Sequence, residues 1–157
     1  MLIGVLSDTH DAMEKINKSI AIFNSKKVEY VIHCGDIVSP FAAKPLENLN
    51  CDYIGVFGNN DGDLQLINHV TSGRFHKMPK KIVLDGKQII IFHEQFIIDD
   101  IDENIDVVLY GHTHNKDYHK KGNQIIVNPG TVSGYISGLS TICTIDLATM
   151  DVEFIEI

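Results

Sequence analysis

Six short apolar runs in this chain each end in glycine, histidine, aspartate or asparagine. Residues 2–6 lead into Ser7-Asp8-Thr9-His10, residues 30–34 into Gly35-Asp36, and residues 53–57 into Gly58-Asn59-Asn60-Asp61. Residues 89–92 lead into His93-Glu94, residues 107–110 into Gly111-His112-Thr113-His114, and residues 125–127 into Asn128-Pro129-Gly130-Thr131. Runs without a polar alternation read as strands covered on both faces. In open α/β sheets, ligands lie beyond the carboxyl ends of the strands. If these ends share one edge, Asp8, His10, Asp36, Asn59, His93, His112 and His114 converge on one crevice. Seven nitrogen and oxygen donors exceed the need of one metal. Without a cysteine among them, they suit two borderline or hard divalent ions such as Mn²⁺, Zn²⁺ or Fe²⁺.

The segments between these runs define the rest of the fold. Met13, Ile16, Ile20 and Phe23 recur at helical spacing over residues 12–23, with Asp11 placed to cap the helix. Ser39-Pro40 opens a second helix, with proline at its first position, and residues 63–70 predict a short third. Later, residues 81–84 and 87–92 flank Asp85-Gly86, a two-residue hairpin signal. Residues 117–120 and 124–128 flank Lys121-Gly122-Asn123 in the same way, and strands over 140–146 and 152–157 close the chain. Strand–helix units followed by hairpins predict an α/β domain with mixed sheets. At about 150 residues per domain, the 157 residues are expected to form a single domain over 1–157, and 44% hydrophobic residues suffice to fill its core.

Charge narrows the function. Thirteen basic against 21 acidic residues give a net charge of −8, so a polybasic surface for long nucleic acid or anionic membrane is not expected. No apolar stretch approaches the roughly 20 residues that span a bilayer. The apolar run at residues 2–6 is too short for a signal sequence, so none is expected. Cys34, Cys51 and Cys143 are odd in number and lack a CxxC spacing, which predicts reduced thiols and a cytoplasmic protein.

Taken in order, the motifs resemble those of the calcineurin-like metallophosphoesterases, specifically the small single-domain bacterial and archaeal phosphodiesterases. The D-x-H motif is Asp8-Thr9-His10, G-D is Gly35-Asp36, and G-N-x-D is Gly58-Asn59-Asn60-Asp61. The lone histidine is His93, and G-H-x-H is Gly111-His112-Thr113-His114. The resemblance runs from Leu2 to about Tyr135. It implies an α/β fold, a four-layer αββα sandwich of two mixed β-sheets flanked by helices. It also implies two divalent ions per chain, Mn²⁺ first, with Zn²⁺, Fe²⁺ or Ni²⁺ as alternatives. Asp8, His10, Asp36 and His114 would hold one, and Asp36, Asn59, His93 and His112 the other, with Asp36 shared. The sequence departs from the broader family at Asn60, where larger members carry histidine, and at His93-Glu94-Gln95, where many small relatives carry glycine and a further histidine. The stretch from His93 to His112 is also short, which predicts a trimmed helix or lid near the site.

The expected reaction is phosphodiester hydrolysis, with two cations about 3.5–4 Å apart generating a bridging hydroxide for in-line attack. The catalytic roles fall to Asp36 and to the Asn60 amide, which would stabilise charge on the phosphoryl oxygens. Asp61 is a candidate for orienting the ligands. The expected substrate is a small phosphodiester or nucleotide-like molecule, and a homo-oligomer is compatible with the sequence. Alternatives on the same site are a phosphomonoesterase, a nucleotide hydrolase or a nuclease, and, from another class, a non-catalytic metal-bound protein-binding module. His33 reads first as a packed strand-end histidine and second as a donor to the site, and Cys34 as a buried thiol. Asn128-Pro129-Gly130 reads as a loop-shaping element. His69, His76 and His119 read as surface residues, and the acidic run Asp99-Asp100 and Asp102-Glu103 as a helix end or loop.

Overall fold

The computed structural model describes residues 1–95 and 101–157. In chain order the strands are β1 (Leu2–Leu6), β2 (Tyr30–His33), β3 (Asp52–Val56), β4 (Phe75–His76), β5 (Lys80–Leu84) and β6 (Lys87–Ile91). They continue with β7 (Val107–Leu109), β8 (Lys116–Lys121), β9 (Gln124–Pro129), β10 (Thr141–Asp146) and β11 (Asp151–Glu156). One sheet has six strands in the order β11-β10-β1-β2-β3-β4, and the other has five in the order β5-β6-β7-β9-β8. The strands β1 to β4 are parallel, as are β6, β7 and β9. The outer strands β10, β11, β5 and β8 are paired antiparallel, so both sheets are mixed.

Hydrophobic burial stacks the sheets face to face. Ile3 and Val5 of β1, Ile32 of β2 and Ile54 of β3 pack against Ile89 and Ile91 of β6, Val107 and Leu109 of β7 and Val127 of β9. The other face of the six-stranded sheet is covered by α1 (Met13–Lys26), α2 (Pro40–Ala43) and α3 (Leu64–Val70), through Ile16, Ile20, Phe23, Ala42 and Ile67. Helix α1 stops at Lys27, whose left-handed backbone (φ 56°) turns the chain toward β2. Ser39 and Asp63 cap α2 and α3, each accepting a backbone N–H with its side chain. Asp11 does not cap α1, contrary to expectation. A capping residue needs extended backbone, but Asp11 is left-handed at φ 57°, and its carboxylate accepts a hydrogen bond from Ser39 Oγ at 2.7 Å.

On the outer face of the five-stranded sheet, Ile90, Phe92, Val108, Tyr110 and Ile126 are buried with Ile105, and Ile101 packs against them. No helix covers this face among the described residues, in keeping with the short connection from β6 to β7. Asp99 and Asp100 lie outside the described residues, while Asp102 accepts from Asn104 N and Nδ2 in a turn. His69 and His119 are exposed and His76 is half-buried. No described helix is long and apolar enough to cross a membrane.

Candidate metal centre

The loops that follow the parallel strands are tied to one another by their backbones. Asp8 N donates to Gly35 O at 3.0 Å, His10 N to Asp36 O at 3.2 Å, and Gly111 N to His93 O at 3.0 Å. Thr131 Oγ1 and Ser133 N both donate to Asp8 O, at 2.9 and 3.1 Å. Within these loops Asp8, His10, Asp36, His112 and His114 all have positive φ, between 40° and 67°. Left-handed backbone is disfavoured for residues with a Cβ, and its concentration in one place marks a site whose side chains must be aimed.

Glycine lets the loops close on the two carboxylates. A Cβ on Gly58 would press on Asp36 Oδ1, and one on Gly111 would press on Ser7 Oγ and lie 2.8 Å from Asp8 Oδ2. Asp8 Oδ2 accepts from His112 N at 3.0 Å. Asp8 Oδ1 is buried without a hydrogen-bond partner, 3.2 Å from His114 Nε2 and 3.7 Å from His10 Nε2. His10 Nε2 is itself 3.2 Å from His114 Nε2 and 3.5 Å from Asp36 Oδ2. Asp36 Oδ2 lies 3.3 Å from His93 Nε2. Asn59 Oδ1 completes the set, 3.0 Å from His93 Nε2 and 3.0 Å from His112 Nδ1. All seven side chains singled out by the sequence therefore meet in one continuous cluster. Asp8 with His10 and His114, and Asp8 with Asp36 and His93, are two groups whose ligand atoms lie within 4.8 Å of one another and could hold a metal ion.

The donor set itself fits a cation. His93 Nδ1 donates to Cys34 O at 2.8 Å. A neutral imidazole has one N–H, so Nε2 then presents a lone pair to Asn59 Oδ1 and Asp36 Oδ2, both acceptors. Only positive charge reconciles three lone pairs at such range, whether a proton or a metal ion. The titration behaviour points the same way. Burial pushes His93 down, yet the Asp36 carboxylate more than offsets this and raises it. Burial pushes Asp36 up, but hydrogen bonds from His93 and Asn60 hold it well below the usual carboxylate range. His10 is raised chiefly by its interaction with Asp8.

Two neighbouring side chains support the cluster. The Asn60 amide, expected at the phosphate, is committed through Nδ2 to Asp36 Oδ2 at 2.7 Å, while Asn60 N donates to Asp36 Oδ1 at 2.8 Å. Its geometry holds Asp36 from one end. Asp61 accepts from Val38 N at 2.6 Å and Gly58 N at 2.7 Å, so its carboxylate ties the Asp36 loop to the Asn59 loop.

His33 does more than pack, although its ring lies against Phe75 at 5.6 Å. It is wholly buried, and burial pushes its pKa down to about 3, so the ring is neutral. Nδ1 accepts from Gly35 N at 3.1 Å, which leaves Nε2–H to donate to Thr9 Oγ1 at 3.1 Å. The Thr9 hydroxyl in turn donates a hydrogen bond to Asp36 O at 3.3 Å. This chain joins the middle residue of the D-x-H motif to the Asp36 loop. Asn128 shapes its loop as expected, donating to Gly111 O at 2.9 Å and Thr113 Oγ1 at 3.0 Å. Thr131 and Ser133, which hold Asp8 from beneath, carried no signal in sequence beyond their place after a strand.

Comparison with known proteins places the chain. Residues 1–150 match the calcineurin-like phosphoesterase superfamily domain. A phosphodiesterase of Methanocaldococcus jannaschii is 37% identical over 154 residues, covering 93% of each chain. Among solved structures, an archaeal phosphodiesterase superposes with a TM-score of 0.89 at 34% identity, over 100% of both chains. A phosphoesterase from E. coli shares the fold, with a TM-score of 0.73 at 19% identity over 99% of this chain and 98% of the other. The chain belongs to the calcineurin-like phosphoesterase superfamily.

Proposed function

We propose that this protein is a dinuclear metal-dependent phosphodiesterase. Asp8, His10, Asp36 and His114 would hold one divalent cation, and Asp36, Asn59, His93 and His112 the other. The observation that carries this reading is the opposition of lone pairs around Asp36, where His93 Nε2 faces two oxygen acceptors at 3.0 and 3.3 Å. The unpartnered, buried Asp8 Oδ1 supports a second position beside His10 and His114. When bound, two such cations would polarise phosphoryl oxygens and lower the pKa of water.

The chain's own contribution is positioning. Asn60 holds both carboxylate oxygens of Asp36. His33 and Thr9 fix the backbone beneath it, and the Cys34 carbonyl sets the His93 tautomer. The carboxylates of Asp8 and Asp36 supply two negative charges against four from two cations, which leaves a net positive pocket for an anionic ester. Mn²⁺ is the first metal to test, the substrate a small phosphodiester as the name of the 37% identical relative suggests, and the compartment the cytoplasm. The experiment is hydrolysis of bis(p-nitrophenyl) phosphate and of p-nitrophenyl phosphate by protein loaded with Mn²⁺, with and without chelator, alongside metal analysis. Metal-dependent turnover that favours the diester, with two ions bound, is expected. A monoester preference of about tenfold or more, or hydrolysis that persists under chelation, defeats the reading; a factor of ten is about 1.4 kcal/mol in transition-state discrimination.

A further inference from the structure

The segment that follows β9 supports the metal centre with its first residues and projects an apolar loop with its last. Thr131 and Ser133 hold Asp8 from beneath. Residues 134–139 then close on themselves through Gly138 N to Gly134 O at 2.9 Å. Lys15 Nζ clamps both ends, donating to Ser133 O and to Ser140 Oγ, each at 2.7 Å. Yet the side chains this clamped loop presents are open to solvent: Tyr135 is 69% exposed, Ile136 80% and Leu139 59%. Clustered exposed apolar side chains next to a polar site mark a contact surface.

Two cavities flank the loop. One of about 200 Å³ is walled by His114, Lys116, Ser137, Leu139 and Thr141. The other, of about 270 Å³, is walled by Asp11, Met13, Lys15 and Tyr135. His114 and His10, the neighbour of Asp11, are 3.2 Å apart at their Nε2 atoms, so a group held at this pair has a cavity on either side of the loop. Several polar groups of the first cavity are already engaged, while His114 Nδ1 is buried without a partner. Ser137 Oγ bonds the Leu139 backbone, Thr141 Oγ1 donates to Pro129 O at 2.7 Å, and Lys116 Nζ sits over the Phe154 ring at 5.9 Å. What remains for a ligand is Leu139, the lysine stem and the His114 imidazole with its unpartnered Nδ1. A cavity of about 150 Å³ takes a benzene ring, so this one has room for one substituted ring.

We infer that the cavity between His114 and Leu139 is the subsite for the non-departing ester arm of the substrate, and that it selects an aromatic or otherwise apolar alcohol. This rests on the phosphodiester reading above. Phosphate belongs to the histidines and carboxylates, and the arm attached to it enters the cavity beside His114, whose surface is mostly apolar.

The test compares kcat/KM for bis(p-nitrophenyl) phosphate and methyl p-nitrophenyl phosphate, which share a leaving group and differ only in the retained arm. The proteins are the Mn²⁺-loaded wild type, Leu139→Ser, and Val83→Ser as a control at a 57% exposed position on β5. The wild type should favour the aryl arm by at least about tenfold, mainly through KM, as apolar pockets typically allow. Leu139→Ser should lose most of that preference and Val83→Ser should keep it. An unchanged preference in Leu139→Ser, or none in the wild type, overturns the subsite while the phosphodiester reading stands. Turnover of neither ester overturns both. If Leu139→Ser instead converts an oligomer to a monomer in sedimentation, with its preference intact, the loop is an interface between copies and the subsite is refuted.

Discussion

Thr9→Val removes one oxygen from a wholly buried side chain and leaves its shape almost unchanged. The oxygen it removes is the acceptor for His33 Nε2–H and the donor to Asp36 O. Asp36 O retains the His10 N–H at 3.2 Å, so it stays partnered. His33 does not, because its Nδ1 is already taken by Gly35 N and the ring cannot turn without breaking that bond. The cost is therefore that of an orphaned buried donor, about 1–3 kcal/mol, with about 2 kcal/mol as the central value. For a chain of this size each kcal/mol shifts Tm by about 2–4 °C, so the expected loss is about 4–8 °C. Urea unfolding of Thr9→Val, His33→Phe and the double variant, all without metal, measures it. In the double variant the orphaned N–H is gone, so the two losses should overlap by at least about 0.5 kcal/mol. A Thr9→Val protein as stable as wild type, or strictly additive losses, refutes the His33–Thr9–Asp36 chain as drawn.

Gly111→Ala places a methyl group against Ser7 Oγ and Asp8 Oδ2. Calorimetric titration with Mn²⁺ should show affinity reduced by about 10–100-fold, the usual range when the support of a ligand is disturbed. Asp61→Ala strips the acceptor from the Val38 and Gly58 N–H groups together. It should lower stability by about 2 kcal/mol in urea, and a change below about 0.5 kcal/mol, typical of an ordinary surface substitution, would show that water replaces the carboxylate.

How far the sequence could be read depended on the range of the signal. The strand ends were legible because each apolar run is short and its polar sequel abrupt, and Asp85-Gly86 marked its hairpin locally. Strand β4 was not legible, since the two residues Phe75–His76 have no period to detect. The cap assigned to Asp11 failed because a local preference lost to a tertiary bond with Ser39, 28 residues away. All seven cluster residues were legible as types at strand ends, but their supports were not. His33 finds the acceptor for its Nε2–H in Thr9, 24 residues distant, and the orientation of Asn60 depends on Asp36, also 24 distant. Lys15 looks like one more charge on a helix surface, yet it clamps a loop 118 residues farther along.

The pairing of β1 with β10 sets a timetable for the living cell. Val5 sits opposite Cys143, and Asp8 is braced by Thr131 and Ser133, so the first strand gains its antiparallel neighbour and its first loop gains its floor only from the far end of the chain. Contacts of such sequence separation form late, after the loop between them has been closed at an entropic cost. Synthesis has to reach Ser133 before Asp8 gains this support. The cluster thus assembles late in synthesis, and a chain cut short before Thr131 would leave Asp8 without its floor.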